Sequence, residues 1–302
     1  MNKTLRKISV FLFFVFHLSA FATEQKQLIV VLDWFINPNH APLFVAEQEG
    51  FFAMHGIKVK FISPADASCG EKMVIANQAD IAVTYQPALV RHVTQKLPLA
   101  RFATLINVPL NCFIVLKNGK INSISDLKGK RIGYSDPATD SIMFSTMLKA
   151  ANLCLSDVEL INVKFNLTQA LLTGKIDGFT GGMRNFEPVA IKLAGKDLKV
   201  FYPEEYGFPK YDELILVTHK NKLHDPILTK FTYALRQAVA YLKKHPHESW
   251  KKFSTNHPEL NNALNKKVWF ITLPYFADDP AKSNQARYQK FARFMLESGM
   301  IK

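Results

Sequence analysis

Cysteine is scarce in this chain: Cys69, Cys112 and Cys154 are the only three in 302 residues. They are odd in number and far apart, so one bridge at most can form and a thiol is left over. None has the paired spacing of a zinc or redox site, and small buried side chains are the plainer reading. His245-Pro246-His247 is the only close histidine pair and follows a helix C-terminus, where surface histidine is ordinary. No metal site is therefore assigned. The G-x-S-x-G turn of a serine hydrolase is missing. No Arg-rich tract with interleaved aromatics occurs, which argues against a nucleic-acid partner although the formal net charge is +13. Lysines instead stand singly or in short groups such as Lys128/Lys130/Arg131 and Lys251/Lys252, the pattern of a solvated basic surface.

Long apolar runs are also missing outside the first residues. Lys3, Arg6 and Lys7 precede the apolar stretch Ile8–Leu18, and Ala20-Phe21-Ala22 follows it. The run is about half the ~20 residues a bilayer span needs, so residues 1–22 read as a signal peptide with an A-x-A cleavage site. An exported protein starting near Thr23 is expected. Its charge falls to +10 when Lys3, Arg6 and Lys7 are removed.

What the chain does have is a strand-to-helix unit at Leu28–Phe52. Five apolar residues, Leu28 to Leu32, suit a strand buried on both faces. Asn37-Pro38-Asn39 supplies turn and cap chemistry, and Ala41-Pro42 opens an amphipathic helix that Gly50 ends. Asp33, Trp34, Asn37 and His40 thus lie where a strand's C-terminal end meets a helix N-terminus, the edge at which open α/β sheets bind ligands.

Strands are expected at 57–62, 80–85, 102–107 and 113–116, alternating with helices at 69–77 and 89–95, a pattern that argues for a mostly parallel sheet. A second unit repeats the plan, with strands at 131–134, 158–163 and 176–180 and helices at 141–151 and 167–172. The run Asn77-Gln-Ala-Asp-Ile-Ala-Val-Thr matches Thr173-Gly-Lys-Ile-Asp-Gly-Phe-Thr in position: helix end, Asp, strand. Glu213–Thr218 reads as a strand returning to the first lobe, followed by a long helix after Asp225-Pro226, further helices at 249–253 and 286–296, and a polar loop between them. About 280 residues after cleavage can bury a large core and form two lobes. The lobes are drawn as 23–112 with 213–302, and 113–212.

Three stretches, LDWFINPNHAPLFVAEQEGFF, ISDLKGKRIGY and GGMRNFE followed by YGFPKYDELILV, resemble the thiamine-pyrimidine-binding proteins of bacterial ABC importers, relatives of the yeast-type pyrimidine synthase of thiamine biosynthesis. The resemblance runs over most of residues 27–255. It implies a two-lobed type II periplasmic-binding-protein fold with two hinge crossovers. It also implies a monomeric periplasmic protein, without cofactor or catalysis, that captures an aminopyrimidine and delivers it to an ABC permease at the inner membrane. By the same resemblance Trp34, Asn37, His40, Tyr85, Asn185 and Glu187 belong to the ligand pocket. The chemistry agrees: aromatic faces stack on a flat ring, and a carboxylate accepts its exocyclic amine.

Each of these residues also has a plainer role. Trp34 is a candidate core residue, Asp33 and Asn37 candidate helix caps, Tyr85 and Asp136 candidate turn or packing residues, and His40 a helix-start hydrogen-bonding residue rather than a base. The chain departs from the family at Met183-Arg184-Asn185-Phe186, where Arg184 raises a carbonyl, a formyl group or a phosphate as its partner. Against phosphate, Ser135–Asp140 has no glycine-rich cradle and carries two acids. Against the synthase, Thr84 and Ala88 stand where that enzyme carries its lysine and histidine, and Phe208–Glu213 replaces its cysteine run. A sulfonate- or nitrate-binding protein shares the fold but not an acidic pocket.

The export segment gives a first test. Protein recovered from its native host is expected to begin near Thr23 on N-terminal sequencing and to fractionate with periplasmic contents; an intact Met1 there removes the export reading.

Overall fold

The computed structural model describes residues 25–301, and the export segment with its cleavage point lies outside them. From β1 (Lys26–Val31) the chain enters α1 (Ala41–Gln48), α2 (Phe51–Met54) and β2 (Ile57–Ile62). Next come α3 (Cys69–Ile75), β3 (Ile81–Thr84), α4 (Gln86–Thr94) and β4 (Leu99–Ile106). A short connection then leads into β5 (Asn111–Leu116), β6 (Arg131–Tyr134), α5 (Pro137–Ala150), β7 (Glu159–Asn162) and α6 (Leu167–Leu172). The middle of the chain closes with β8 (Gly178–Met183), α7 (Glu187–Leu193) and β9 (Leu198–Phe201). Finally β10 (Leu214–His219) precedes α8 (Pro226–Lys244), α9 (Pro246–Asn256), α10 (Ala263–Thr272) and α11 (Gln285–Glu297).

These strands make two five-stranded sheets of the same plan, ordered β2-β1-β3-β10-β4 and β7-β6-β8-β5-β9. In each, four of the five strands point one way, as a mostly parallel sheet requires, and one reversed strand is inserted before the last: β10 between β3 and β4, and β5 between β8 and β9. The sheets are therefore mixed rather than simply parallel. The reversed strands are the ones by which the chain enters the second sheet and returns to the first. The matched Asp positions behave alike: Asp80 accepts the Ile29 amide and Asp177 the Arg131 amide, each at 2.9 Å. The carboxylate thereby ties the start of β3 to β1 in one sheet and the start of β8 to β6 in the other, which is why the repeat is visible in position while its letters differ.

Local chemistry explains the helix starts. Asp136 caps α5 by accepting the Ala138 and Thr139 amides, Asp225 caps α8 through the Ile227 amide, and Asn262 caps α10 through the Asn265 amide. Helix α1 is less amphipathic than expected, because Ala41 to Ala46 are all buried. It is enclosed by neighbouring elements, with Phe44 packed on Phe61, Phe253 and His257.

The polar loop expected between the last helices is replaced by α10. Its lysines mask a buried stripe carrying Val268 and Trp269, and the Trp269 indole donates to the Pro246 carbonyl at 3.1 Å. Of the cysteines only Cys112 is buried; Cys69 is half-buried, Cys154 is exposed, and all three are free thiols. Among the described residues no helix is long and apolar enough to cross a membrane.

Trp269 is fully enclosed and packs on Trp250 and Phe253. Trp269→Ala is expected to lower the unfolding free energy by about 3–5 kcal/mol in urea titration, as a large cavity in a core should.

Candidate functional site

The C-terminal ends of β1, β3 and β8 converge on one cavity. From the first sheet come Asp33 and Trp34, just past β1, Asn37 and Asn39 in the following turn, and Tyr85, just past β3. From the second come Gly181 and Met183 on β8, and Phe186 and Glu187 at the start of α7.

Asp33 is buried and shared by two donors. The Tyr85 hydroxyl donates to Oδ2 at 2.7 Å, and His40 Nε2 meets Oδ1 at 2.8 Å. His40 Nδ1 accepts the Asn37 amide at 3.4 Å, which leaves the ring proton on Nε2 for Asp33. His40 is wholly buried behind the wall, outside the lining of the cavity, where it supports Asp33. Burial, and after it the neighbouring Asp33 charge, pushes the Tyr85 phenol well up, so it stays a donor.

Glu187 lines the opposite side. Its Oε2 accepts the Met183 amide at 2.6 Å, and among the described residues no cation contacts it. Burial pushes the carboxyl up to about 7.

Other expected residues fall differently. Asn37 lines the cavity, but its side chain is engaged in the turn, accepting the Asn39 amide at 2.9 Å and donating to the Phe35 carbonyl at 2.8 Å. Asn185 is buried outside the lining and donates to Asn39 Oδ1 and Thr272 Oγ1. Arg184 turns away altogether: Nη2 pairs with Glu204 Oε2 at 2.9 Å, the guanidinium donates to the Leu110 and Asn111 carbonyls, and it stacks 4.6 Å from the Tyr202 ring. Arg184 is not among the residues that line the cavity.

Asn39, Gly181, Met183 and Phe186 are lining residues that sequence reasoning did not assign to the pocket, and Asp33 was placed at its edge but not among its ligand contacts. For Asp33 the signal was present, since it and Tyr85 both follow a strand of the same sheet. Gly181 is the glycine this wall demands: its φ is +88°, and a Cβ there would meet the Asp140 carboxylate at 2.6–2.9 Å.

Further acids surround the site. Asp140 accepts the Ser135 and Asp136 amides at 2.9 Å, Glu71 accepts the Thr84 hydroxyl, and Glu213 accepts the Tyr211 hydroxyl at 2.8 Å together with the Leu110 and Asn111 amides. Burial first, and for Glu71 and Asp140 the nearby Asp136 charge as well, pushes all three up to about 7. Among the described residues no group of three His, Cys, Asp or Glu side chains is arranged to hold a metal ion. The interior between the sheets is thus acidic within a basic protein, and suited to a ligand that donates hydrogen bonds.

A carboxyl whose folded pKa exceeds its unfolded value contributes stability that is present below about pH 4.5 and lost as pH rises through about 7. One such group is worth up to about 3 kcal/mol. His92, lowered by burial, works in the opposite sense. The ligand-free protein is expected to melt higher at about pH 5 than at about pH 7.5, and Glu187→Gln to flatten part of that slope by calorimetry. Identical slopes would mean that Glu187 ionises normally.

With this geometry described, the chain can be set beside known proteins. A family model described as NMT1/THI5 like matches residues 37–249. A Haemophilus influenzae protein named for thiamine biosynthesis is 42% identical over 302 residues, covering 100% of this chain and 96% of its own. The formylaminopyrimidine-binding protein of Halalkalibacterium halodurans is 29% identical over 241 residues, 79% of this chain and 73% of its own. A Legionella pneumophila 4-amino-5-hydroxymethyl-2-methylpyrimidine phosphate synthase is 28% identical over 263 residues, 85% of this chain and 82% of its own. Among solved structures, the alkanesulfonate-binding protein of Xanthomonas axonopodis superposes with a TM-score of 0.73 over 93% of this chain and 96% of that one. At 15% identity that likeness concerns the fold alone, the two-lobed periplasmic-binding-protein fold.

Proposed function

Because the chain belongs to the NMT1/THI5-like family, we propose that it is the extracytoplasmic solute-binding protein of an ABC importer, capturing an unphosphorylated aminopyrimidine precursor of thiamine between its lobes. The observation that carries this reading is the pair of carboxylates, Asp33 from one sheet and Glu187 from the other, facing a cavity with aromatic walls and no cationic side chain in its lining. A 4-aminopyrimidine is flat and presents an exocyclic amine, so Trp34, Tyr85 and Phe186 can cover its faces or edges while a carboxylate accepts the amine. Such a charge-assisted bond is worth roughly 1.5–3 kcal/mol. The hydroxymethyl and formylaminomethyl forms both meet these demands. A relative named for binding formylaminopyrimidine supports the ligand class.

Two other readings fare worse. A sulfonate or phosphate ester brings negative charge toward Asp33 and Glu187, while Arg184 is occupied with Glu204. A synthase needs nucleophilic and metal-binding groups; Ala88 offers none, and the Thr84 hydroxyl is bonded to Glu71. Binding, closure of the lobes and hand-over to the permease then make up the whole task, with no bond broken.

Calorimetric titration tests this. The aminopyrimidines are expected to bind and their phosphate esters not to. Glu187→Ala should cost about 2–3 kcal/mol, or roughly 30- to 150-fold in affinity, and Trp34→Ala a similar amount. Incubation with pyridoxal phosphate and iron should give neither pyrimidine product nor a Schiff-base absorbance. Wild-type affinity in a folded Glu187→Ala protein would place the ligand elsewhere in the cleft.

A further inference from the structure

We infer that the lobes are latched shut by two residues outside the cavity lining, Asn185 as the central positioning residue and Phe165 beside it. The inference rests on capture between the lobes but on no particular ligand. Asn185 lies in the connection between β8 and α7 in the second lobe, and both of its amide contacts reach the first lobe, in the turn after β1 and at the end of α10. It donates to Asn39 Oδ1 and to Thr272 Oγ1, each at 2.7 Å. The Thr272 hydroxyl donates to the Val268 carbonyl at 2.8 Å, with Asn39 Oδ1 farther away at 3.5 Å, which leaves its lone pairs for Asn185.

All three residues are buried, at 1%, 5% and 0% exposure, and Asn185 Oδ1 has no partner. A buried amide that leaves its oxygen unpaired is costly unless its donors are well used. Here the donors are used only between the two lobes.

An apolar contact acts beside the amide. Phe165, in the segment after β7, meets Trp34 edge-on at 4.4 Å and Phe35 at 4.7 Å. Phe35 is otherwise 53% exposed, a large ring at the surface with this contact as its explanation. Separating the lobes would return these rings and the Asn185 amide to water.

The latch and the cavity share residues: Asn39 and Trp34 line the cavity, and Asn185 is followed directly by Phe186 and Glu187. A ligand that orders those residues favours the latched state, and the fraction already latched sets the apparent affinity. Asn185 and Phe165 therefore set how long the ligand stays, while Glu187 and the aromatic walls set which ligand it is.

The test compares wild type with Asn185→Ala, Thr272→Val, Thr272→Ser and Phe165→Ala. Small-angle scattering of ligand-free protein is expected to give a larger radius of gyration for Asn185→Ala, Thr272→Val and Phe165→Ala than for wild type, and a wild-type value for Thr272→Ser, which keeps the hydroxyl. In stopped-flow binding of hydroxymethyl- and formylaminomethyl-aminopyrimidine, the first three variants should release both ligands faster by one common factor, roughly three- to tenfold. Unchanged scattering overturns the latch, as does a factor that differs between the ligands, which would mark direct contact. If neither pyrimidine binds wild type, the proposed ligand falls and the scattering comparison still decides the latch. If Asn185→Ala does not fold, Thr272→Val against Thr272→Ser carries the same comparison.

Discussion

A carboxylate taken out of water without a cation must be met by hydrogen-bond donors, and that constraint shapes the centre of this molecule. Asp33 has the His40 imidazole and the Tyr85 phenol, Glu187 the Met183 amide, and Glu213 two crossover amides and the Tyr211 phenol. The donors come from strand ends and from the segments that pass between the sheets. Moving any of those segments would strand a buried acid. The acids thus help to define where the sheets meet, and they give the cavity its sign.

Glu213 illustrates the coupling most directly. Its carboxylate joins residues 110–111, where the chain leaves for the second sheet, to Tyr211 and Glu213 themselves, where it returns. Helix α11 reinforces the same region: Phe291 and Met295 pack with Ile142 and Met143 of α5 and with Phe208 and Tyr211. The joint between the lobes is therefore polar at its centre and apolar on its flank.

The division of labour in the cleft follows from chemistry available at each position. Residues held by the turn after β1, such as Asn37, spend their polar atoms on their own backbone and present little to a ligand. Residues at the mouth of α7 differ, because a helix start leaves amides and side chains facing outward. Glu187 occupies that position, which is why it keeps acceptor capacity while Asn37 does not.

Much of the fold was legible in the sequence. Periodicity places strands at 57–62 and 131–134 and a helix at 167–172 as they occur, and the paired Asp80 and Asp177 expose the repeat. These features depend on local pattern: alternation of burial, caps and turns are written within a few residues of where they act. The polar stretch hiding α10, the reversal of β5 and β10, and the role of the site residues were decided otherwise. His40 reads like a helix-start residue from its neighbours, and only the approach of Asp33 makes it a buried support; Asn185 reads like a pocket residue until Thr272, 87 positions away, takes its amide. Local sequence determines what each segment can form. Which of its polar atoms remain free for a ligand depends on partners distant in the chain, and only tertiary contact selects them.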